Sequence, residues 1–326
     1  MLRSFLLIFA FLATPLASAD QCQLFPEITQ DSSSMVYPVS MIEAKWMSCK
    51  SHLTGEIRIG TRNLVIGGNH HVLLVDPYSM KTVIEKDMCW LCSEVAPETF
   101  QSTRYQTAIQ RLTKSVDGQF ARAGLRRSEN SLSGVIVTAD LCPSAKKMDR
   151  DFIEHLISSA RTVPIPIAFA LSGKWLKAHP VDFQYLKSKV QARSLDVTWV
   201  NHSLTHPYHS GLPDKENFLR SAGVKMANEI LENERLMIEN GITPSVFFRF
   251  PGLISDQKLL SYLQSHGLIP IDADAWLAKG EIPHEGSVIL IHANGNEPKG
   301  LKEFSKLWNE ARLPTPLEPL TSAPRK

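Results

Sequence analysis

The sequence predicts an α/β domain built on a parallel sheet, open or closed into a barrel, with a small β-rich unit before it. Three observations lead there. Short apolar runs alternate with amphipathic helical segments from about residue 134 onward. Polar and titratable residues stand at the ends of those runs. The stretch before them consists of β-prone runs separated by Gly and Asp-Pro breaks, the pattern of antiparallel strands.

Residues 1–19 read as a secretory leader: Arg3, then the apolar run Phe5 to Leu12, then Ala17-Ser18-Ala19 as the cleavage site, so the mature chain is expected to begin near Asp20 and to be periplasmic or secreted. That run falls short of the roughly 20 apolar residues that span a bilayer, and no later run approaches it, so no transmembrane segment is expected. A chain of 326 residues exceeds what one core usually serves, which makes two domains the prior. The formal charge of +2, with basic and acidic residues interspersed, gives no sign of a nucleic-acid partner.

From Glu56 to Glu85 the runs Ile57 to Ile59, Leu64 to Ile66, Val72 to Val75 and Thr82 to Ile84 are separated by Gly60, Gly67-Gly68 and Asp76-Pro77. They predict a small antiparallel sheet within an accessory region spanning 20–130. A helix is expected from Tyr105 to Val116, and Arg126 to Ser133 reads as a linker. The main domain then runs over 131–313. Its expected strands are Val135 to Val137, Ile165 to Leu171, Val197 to Val200, Val246 to Phe250, Leu268 to Ile271 and Val288 to Ile291. Between them, Phe152, Leu156, Ile157 and Ala160 share one helical face. A long helix is expected from Ser221 to Asn240, stopped by Gly241. Another, capped by Ser255, buries Leu259, Leu260 and Leu263 and ends at Gly267. Leu301, Phe304, Leu307, Trp308 and Ala311 repeat at helical spacing. The proline-rich tail over 314–326 is expected to be unstructured.

In parallel α/β folds, reactive groups sit past the C-terminal ends of the strands. Asp140, the segment Asn201-His202-Ser203-Leu204-Thr205-His206, Arg249, Asp272 with Asp274, and His292 all occupy such positions. His202 and His206, four apart, would face one way on a helical turn and share one ion, neutral imidazole being a good zinc ligand.

Thr138-Ala139-Asp140, Asn201-His202 to His206-Pro207, Arg249-Phe250-Pro251, Asp272-Ala273-Asp274-Ala275-Trp276 and Leu290-Ile291-His292 follow one another in an order that resembles the motifs of the polysaccharide deacetylase (NodB-homology) family. Ala168 to Lys174 resembles its second strand. The resemblance spans roughly Gly134 to Arg312 and leaves the N-terminal region unmatched. It implies a distorted (β/α) barrel that removes N-acetyl groups from a carbohydrate with the help of a divalent metal, most simply zinc. By position Asp140 matches the base, His292 the acid, and His202 and His206 the metal ligands. Arg249 matches the residue that orients the base, with Asp272 or Asp274 as its charge partners. Trp276 and Pro251 would contact the sugar.

The sequence departs from that pattern in two places. The family presents a second aspartate where Leu141 stands, and leucine binds no metal. Cys142 offers a thiolate instead, or Asp140 is itself the ligand; both assignments remain open. Gly252 stands where a larger residue is usual. A deacetylase-fold glycan binder that has lost turnover is the alternative. Of the five cysteines, the simplest pairing is Cys22 with Cys49 and Cys89 with Cys92, leaving Cys142 free.

Overall fold

The computed structural model describes Cys22, residues 38–114 and residues 122–325; the leader read over 1–19 lies outside the described residues. Strands β1 (Val39–Ser51), β2 (Ile57–Ile66), β3 (Asn69–Val75), β4 (Thr82–Lys86) and β5 (Trp90–Glu94) form an antiparallel sheet in the order β4-β3-β2-β1-β5. Gly60 does not end a strand as expected. It lies inside β2, beside a register shift at the pairing with β3, where an added Cβ would stand 2.9 Å from the Met47 side chain. Its lack of a side chain is used for close packing rather than for a turn.

The disulfides differ from the simplest pairing. Cys49 on β1 stands directly opposite Cys92 on β5, and these two are bonded, as are Cys22 and Cys89. Cys89 ends a 3-10 turn just before β5, whereas Cys92 lies within β5 in register with Cys49. Cys142 is a buried free thiol.

The second sheet contains β6 (Ile136–Leu141), β7 (Ile165–Leu171), β8 (Leu195–Asn201), β9 (Phe247–Arg249), β10 (Ile269–Ile271), β11 (Ala275–Trp276) and β12 (Val288–His292), in the order β10-β9-β8-β7-β6-β12-β11. All its pairings are parallel. This is the expected α/β barrel class. Residues 125–128, which include the start of the Arg126 to Ser133 stretch read as linker, span the gap between the two ends of the curl: Leu125 exchanges backbone hydrogen bonds with Pro270 and Asp272, and Arg126 and Ser128 bond to Val288 and Gly286.

Side chains alternate between the two faces of each strand. Val137, Ala139, Leu141, Ile167, Phe169, Leu171, Ile289 and Ile291 face outward into a core completed by helices α2 (Arg150–Ser159), α3 (Gly173–Ala178), α4 (Pro180–Gln191) and α7 (Pro298–Asn309). Ile136, Ala168, Ala170, Val200, Phe247, Ile269, Val288 and Leu290 face inward. The same inner cluster includes Trp46, Ile59, Phe100 and Tyr105 from the N-terminal region, so the sheet of β1–β5 and helix α1 (Arg104–Leu112) share one core with the barrel. A buried ion pair seals the junction, with Arg62 Nε and Nη2 donating to Glu234 at 2.7 and 2.9 Å.

The tail is ordered, contrary to its composition. Val135 N donates to Pro316 O and Glu318 N to Val135 O. Leu320 and Ala323 are 2% and 0% exposed, and the Arg104 guanidinium holds the carbonyls of Thr321 and Pro324. Backbone pairing with the start of β6 outweighs proline content here.

The expected 221–240 helix begins late. Gly223, at φ +82°, sits before it. A π-helical turn over Asn228–Glu232 leads into α5 (Asn233–Glu239). Helix α6 (Gln257–Ser265) is capped by Asp256, whose carboxylate accepts from Leu259 N, rather than by Ser255.

Candidate active site

Strand β6 reaches Leu141, so Asp140 lies within it rather than after it, on the inward face two residues above Thr138. Strand β12 pairs with β6 in a register that sets His292 beside Asp140. Strand β8 ends at Asn201, which delivers His202 to the same rim. Arg249 ends β9.

His202 and His206 do not share a helical turn. They lie on a loop with Ser203 at φ +66° and His206 at φ +45°, and their rings meet edge to face at 4.7 Å. Such left-handed residues persist only where surroundings hold them, and here side chains do so. Asn201 Oδ1 accepts from Ser203 N, Ser203 Oγ from His206 N, and Glu229 from both Thr205 N and Thr205 Oγ1. Asn233 donates to Leu171 O and Asn201 Oδ1. The π-helical turn ends just before Asn233, so Glu229 and Asn233 both reach the loop. Gly173 lies against the loop's other side, where a Cβ would collide with Leu204 at 2.6 Å.

The His202 proton is fixed by its neighbour. Nδ1 lies 2.8 Å from the carbonyl oxygen of Arg249. A carbonyl only accepts, so in neutral His202 Nδ1 carries the proton and Nε2 the lone pair. That lone pair faces Cys142 Sγ at 3.4 Å and Asp140 Oδ2 at 3.7 Å. Burial, acting first, holds both His202 and His206 down at about 3, so both imidazoles are neutral at ordinary pH. Burial also pushes the Cys142 thiol well above its usual range, with the Asp140 charge adding to it. A cation binding there must displace a proton from sulfur. Asn294 Nδ2 holds the Cys142 carbonyl at 2.8 Å.

The ligand-bearing atoms of Cys142, His202 and His206 all lie within 4.8 Å of one another, and so do those of Asp140, Cys142 and His292. Zinc bonds of about 2.3 Å to sulfur and 2.0–2.1 Å to nitrogen give a tetrahedral S···N edge of about 3.5 Å. The 3.4 Å between Cys142 and His202 fits that edge. Leu141, by contrast, points outward into the helix-facing core.

Arg249 is fully buried, donates to Thr138 Oγ1 at 2.7 Å, and sets Nη1 3.8 Å from Asp140 Oδ1. Asp272 is turned toward Arg122 and Arg126, at 3.2 and 3.5 Å. Burial raises its carboxyl above the ordinary range, opposed by its bond from Ala273 N and by Arg122, with Arg249 contributing less. Asp274 accepts from Ser287 Oγ and Val288 N. Neither aspartate lines the cavity over Asp140, and Pro251 does not either.

That cavity has a volume of about 510 Å³. Trp276, Tyr208 and Phe218 give it aromatic walls, and Lys174, Asn296 and Glu297 add polar ones. Gly252, at φ +64°, lies under Phe218, whose ring would be 2.4 Å from an added Cβ. A ring from another loop thus occupies the space beside Gly252. Glu297 carried no signal in the sequence, being five residues past the last motif; its Oε2 lies 2.8 Å from His292 Nδ1 and accepts from Trp276 Nε1 at 2.8 Å. Burial raises the Glu297 carboxyl, but His292, Trp276 and Lys279 together outweigh it and leave it below the usual range.

No protein-family model matches this chain. Among solved structures, the chain is similar to a family 4 carbohydrate esterase from Bacillus anthracis at 17% identity and TM-score 0.44, over 64% of this chain and 84% of that one. A peptidoglycan N-acetylglucosamine deacetylase is similar at 17% identity and TM-score 0.43, over 57% and 85%. A mutant of a pseudoenzyme of the same esterase family, with restored enzymatic activity, is similar at 15% identity and TM-score 0.42, over 79% and 88%.

Proposed function

We propose that the protein is a metal-dependent hydrolase that removes N-acetyl groups from a carbohydrate, with Cys142, His202 and His206 holding the metal, zinc by the character of that donor set. The observation that carries this reading is the convergence of two neutral imidazoles and a thiol beside Asp140 and His292, in one aromatic-walled cavity. A bound divalent ion would polarise the amide carbonyl and acidify water.

The protein's own groups account for the proton traffic. Asp140 takes a proton as water oxygen bonds to the carbonyl carbon, and Arg249 beside it keeps the carboxylate in place. His292 then gives a proton to the amide nitrogen as the C–N bond breaks, leaving acetate and a free amine. Trp276 offers a flat apolar face to a pyranose ring. The two disulfides support export to an oxidising compartment, and no helix among the described residues is long and apolar enough to cross a membrane.

Cys142, rather than Asp140, groups with both imidazoles, which leaves Asp140 free as the base. Acetate release from N-acetylglucosamine oligomers tests the reading: it should cease with chelator, return with zinc, and be absent from His202→Ala. A chain that binds such oligomers with equal affinity with and without metal, and releases no acetate under either condition, would instead be a glycan binder.

A further inference from the structure

Glu297 belongs to none of the sequence motifs, yet one of its carboxylate oxygens accepts a hydrogen bond from one cavity-lining side chain and closely approaches another. It lies 2.8 Å from His292 Nδ1 and 2.8 Å from Trp276 Nε1. The imidazole and the indole are close, with ring centroids 5.9 Å apart and planes tilted by 35°. Lys279 Nζ covers the Trp276 ring at 3.6 Å, and Glu281 accepts from Trp276 N at 2.6 Å. One ring nitrogen of His292 also lies within 4.8 Å of ligand atoms of both Asp140 and Cys142. The acids that the motif order pointed to are occupied elsewhere, Asp272 by arginines and Asp274 by the start of β12.

We propose that Glu297 is the positioning residue of this site: its carboxylate fixes His292 with the Nδ1 proton toward Glu297 and Nε2 toward Asp140, and ties that orientation to Trp276. A carboxylate accepts only, so a hydrogen bond at this contact requires Nδ1 to carry a proton. The nitrogen left facing Asp140 is the one that can hand a proton to a departing amine. With one oxygen 2.8 Å from both ring nitrogens, a sugar packed on Trp276 would be placed in register with the imidazole. An orientation error there is costly, since proton transfer needs hydrogen-bond contact with the leaving atom.

The catalytic consequence rests on the deacetylase reading, and the test separates the two. With histidine labelled in ¹⁵N in the full chain, and the His292 signals assigned by their loss in His292→Ala, Glu297→Ala should move the His292 resonances away from the Nδ1-protonated pattern. Glu297→Asp should keep that pattern in part. Unchanged His292 resonances in Glu297→Ala overturn the proposal whether or not the protein is an enzyme.

In activity, Glu297→Ala should lower kcat on N-acetylglucosamine oligomers by at least about 10-fold, general acid–base transfer being worth roughly 10²–10⁴. Hydrolysis of p-nitrophenyl acetate, whose leaving group needs no proton, should fall less than about threefold. Equal losses on amide and ester overturn the proposal in favour of a general structural role. Wild type inactive on both substrates defeats the deacetylase reading and leaves the resonance test standing.

Discussion

Replacing Arg62 by methionine should be among the most destabilising changes in the chain, although Arg62 is remote in sequence from the residues that line the cavity. Its guanidinium and the Glu234 carboxylate are 2% and 1% exposed, and they meet through two hydrogen bonds of 2.7 and 2.9 Å. Arg62 Nη1 also donates to the carbonyls of Thr61 and His266, each at 2.8 Å. At a charge separation of about 4 Å and an effective dielectric near 20, the pair attraction is about 4 kcal/mol. Removing one partner strands the other charge in the interior, which costs about 3–5 kcal/mol. With a urea m-value of about 3 kcal/mol/M, the unfolding midpoint should fall by about 1–1.7 M. Equilibrium denaturation followed by tryptophan fluorescence and far-ultraviolet circular dichroism measures it. The double variant Arg62→Met/Glu234→Met removes the stranded carboxylate and should recover about 2 kcal/mol of the loss. A double variant as unstable as the single would refute the reasoning and assign the effect to packing and the two carbonyls. Two separate transitions in the wild type would refute the single core shared by the N-terminal sheet and the barrel.

Peptide mapping without reduction should recover Cys22 linked to Cys89 and Cys49 linked to Cys92, with Cys142 alkylated only after unfolding; Cys49→Ala/Cys92→Ala should cost about 2–4 kcal/mol. Cobalt(II)-loaded protein should absorb in the near ultraviolet through a thiolate charge-transfer band that Cys142→Ser abolishes while cobalt stays bound. A band that survives in the variant would exclude Cys142 as a ligand. Gly252→Ala should lose about 1–2 kcal/mol from its left-handed φ alone and raise KM by displacing Phe218, both readable from thermal unfolding and steady-state kinetics.

The strand and helix alternation was legible because each barrel strand is a short apolar run with a breaker at its end; Ile165–Leu171 matches its expected bounds. Asp140, His202, His206, Arg249 and His292 were legible because period-two alternation and strand ends place such residues at one rim. What stayed hidden reaches the site from elsewhere. Glu297 and Phe218 come from loops whose local sequence has no tie to the cavity, and Glu229 and Asn233 look like ordinary helix residues until the π-helical turn brings them to the histidine loop. The tail misled because proline content describes local preference, whereas Val135 supplies a tertiary partner. The cysteine pairing misled because proximity in sequence was weighed ahead of strand register.

The tail also determines how the barrel can be used. Pro316 and Glu318 bind at the start of β6, while Asp140 and Cys142 lie at its far end. Leu320, Ala323 and Leu125 join the inner cluster together with Trp46 and Tyr105, so distant parts of the chain fill the barrel interior together. The cavity over Asp140 and Cys142 thus lies toward the rim that carries Trp276 and Tyr208, away from the start of β6 where the tail is paired. Under the proposed deacetylase function, a glycan would lie across that rim and acetate would leave from the same side.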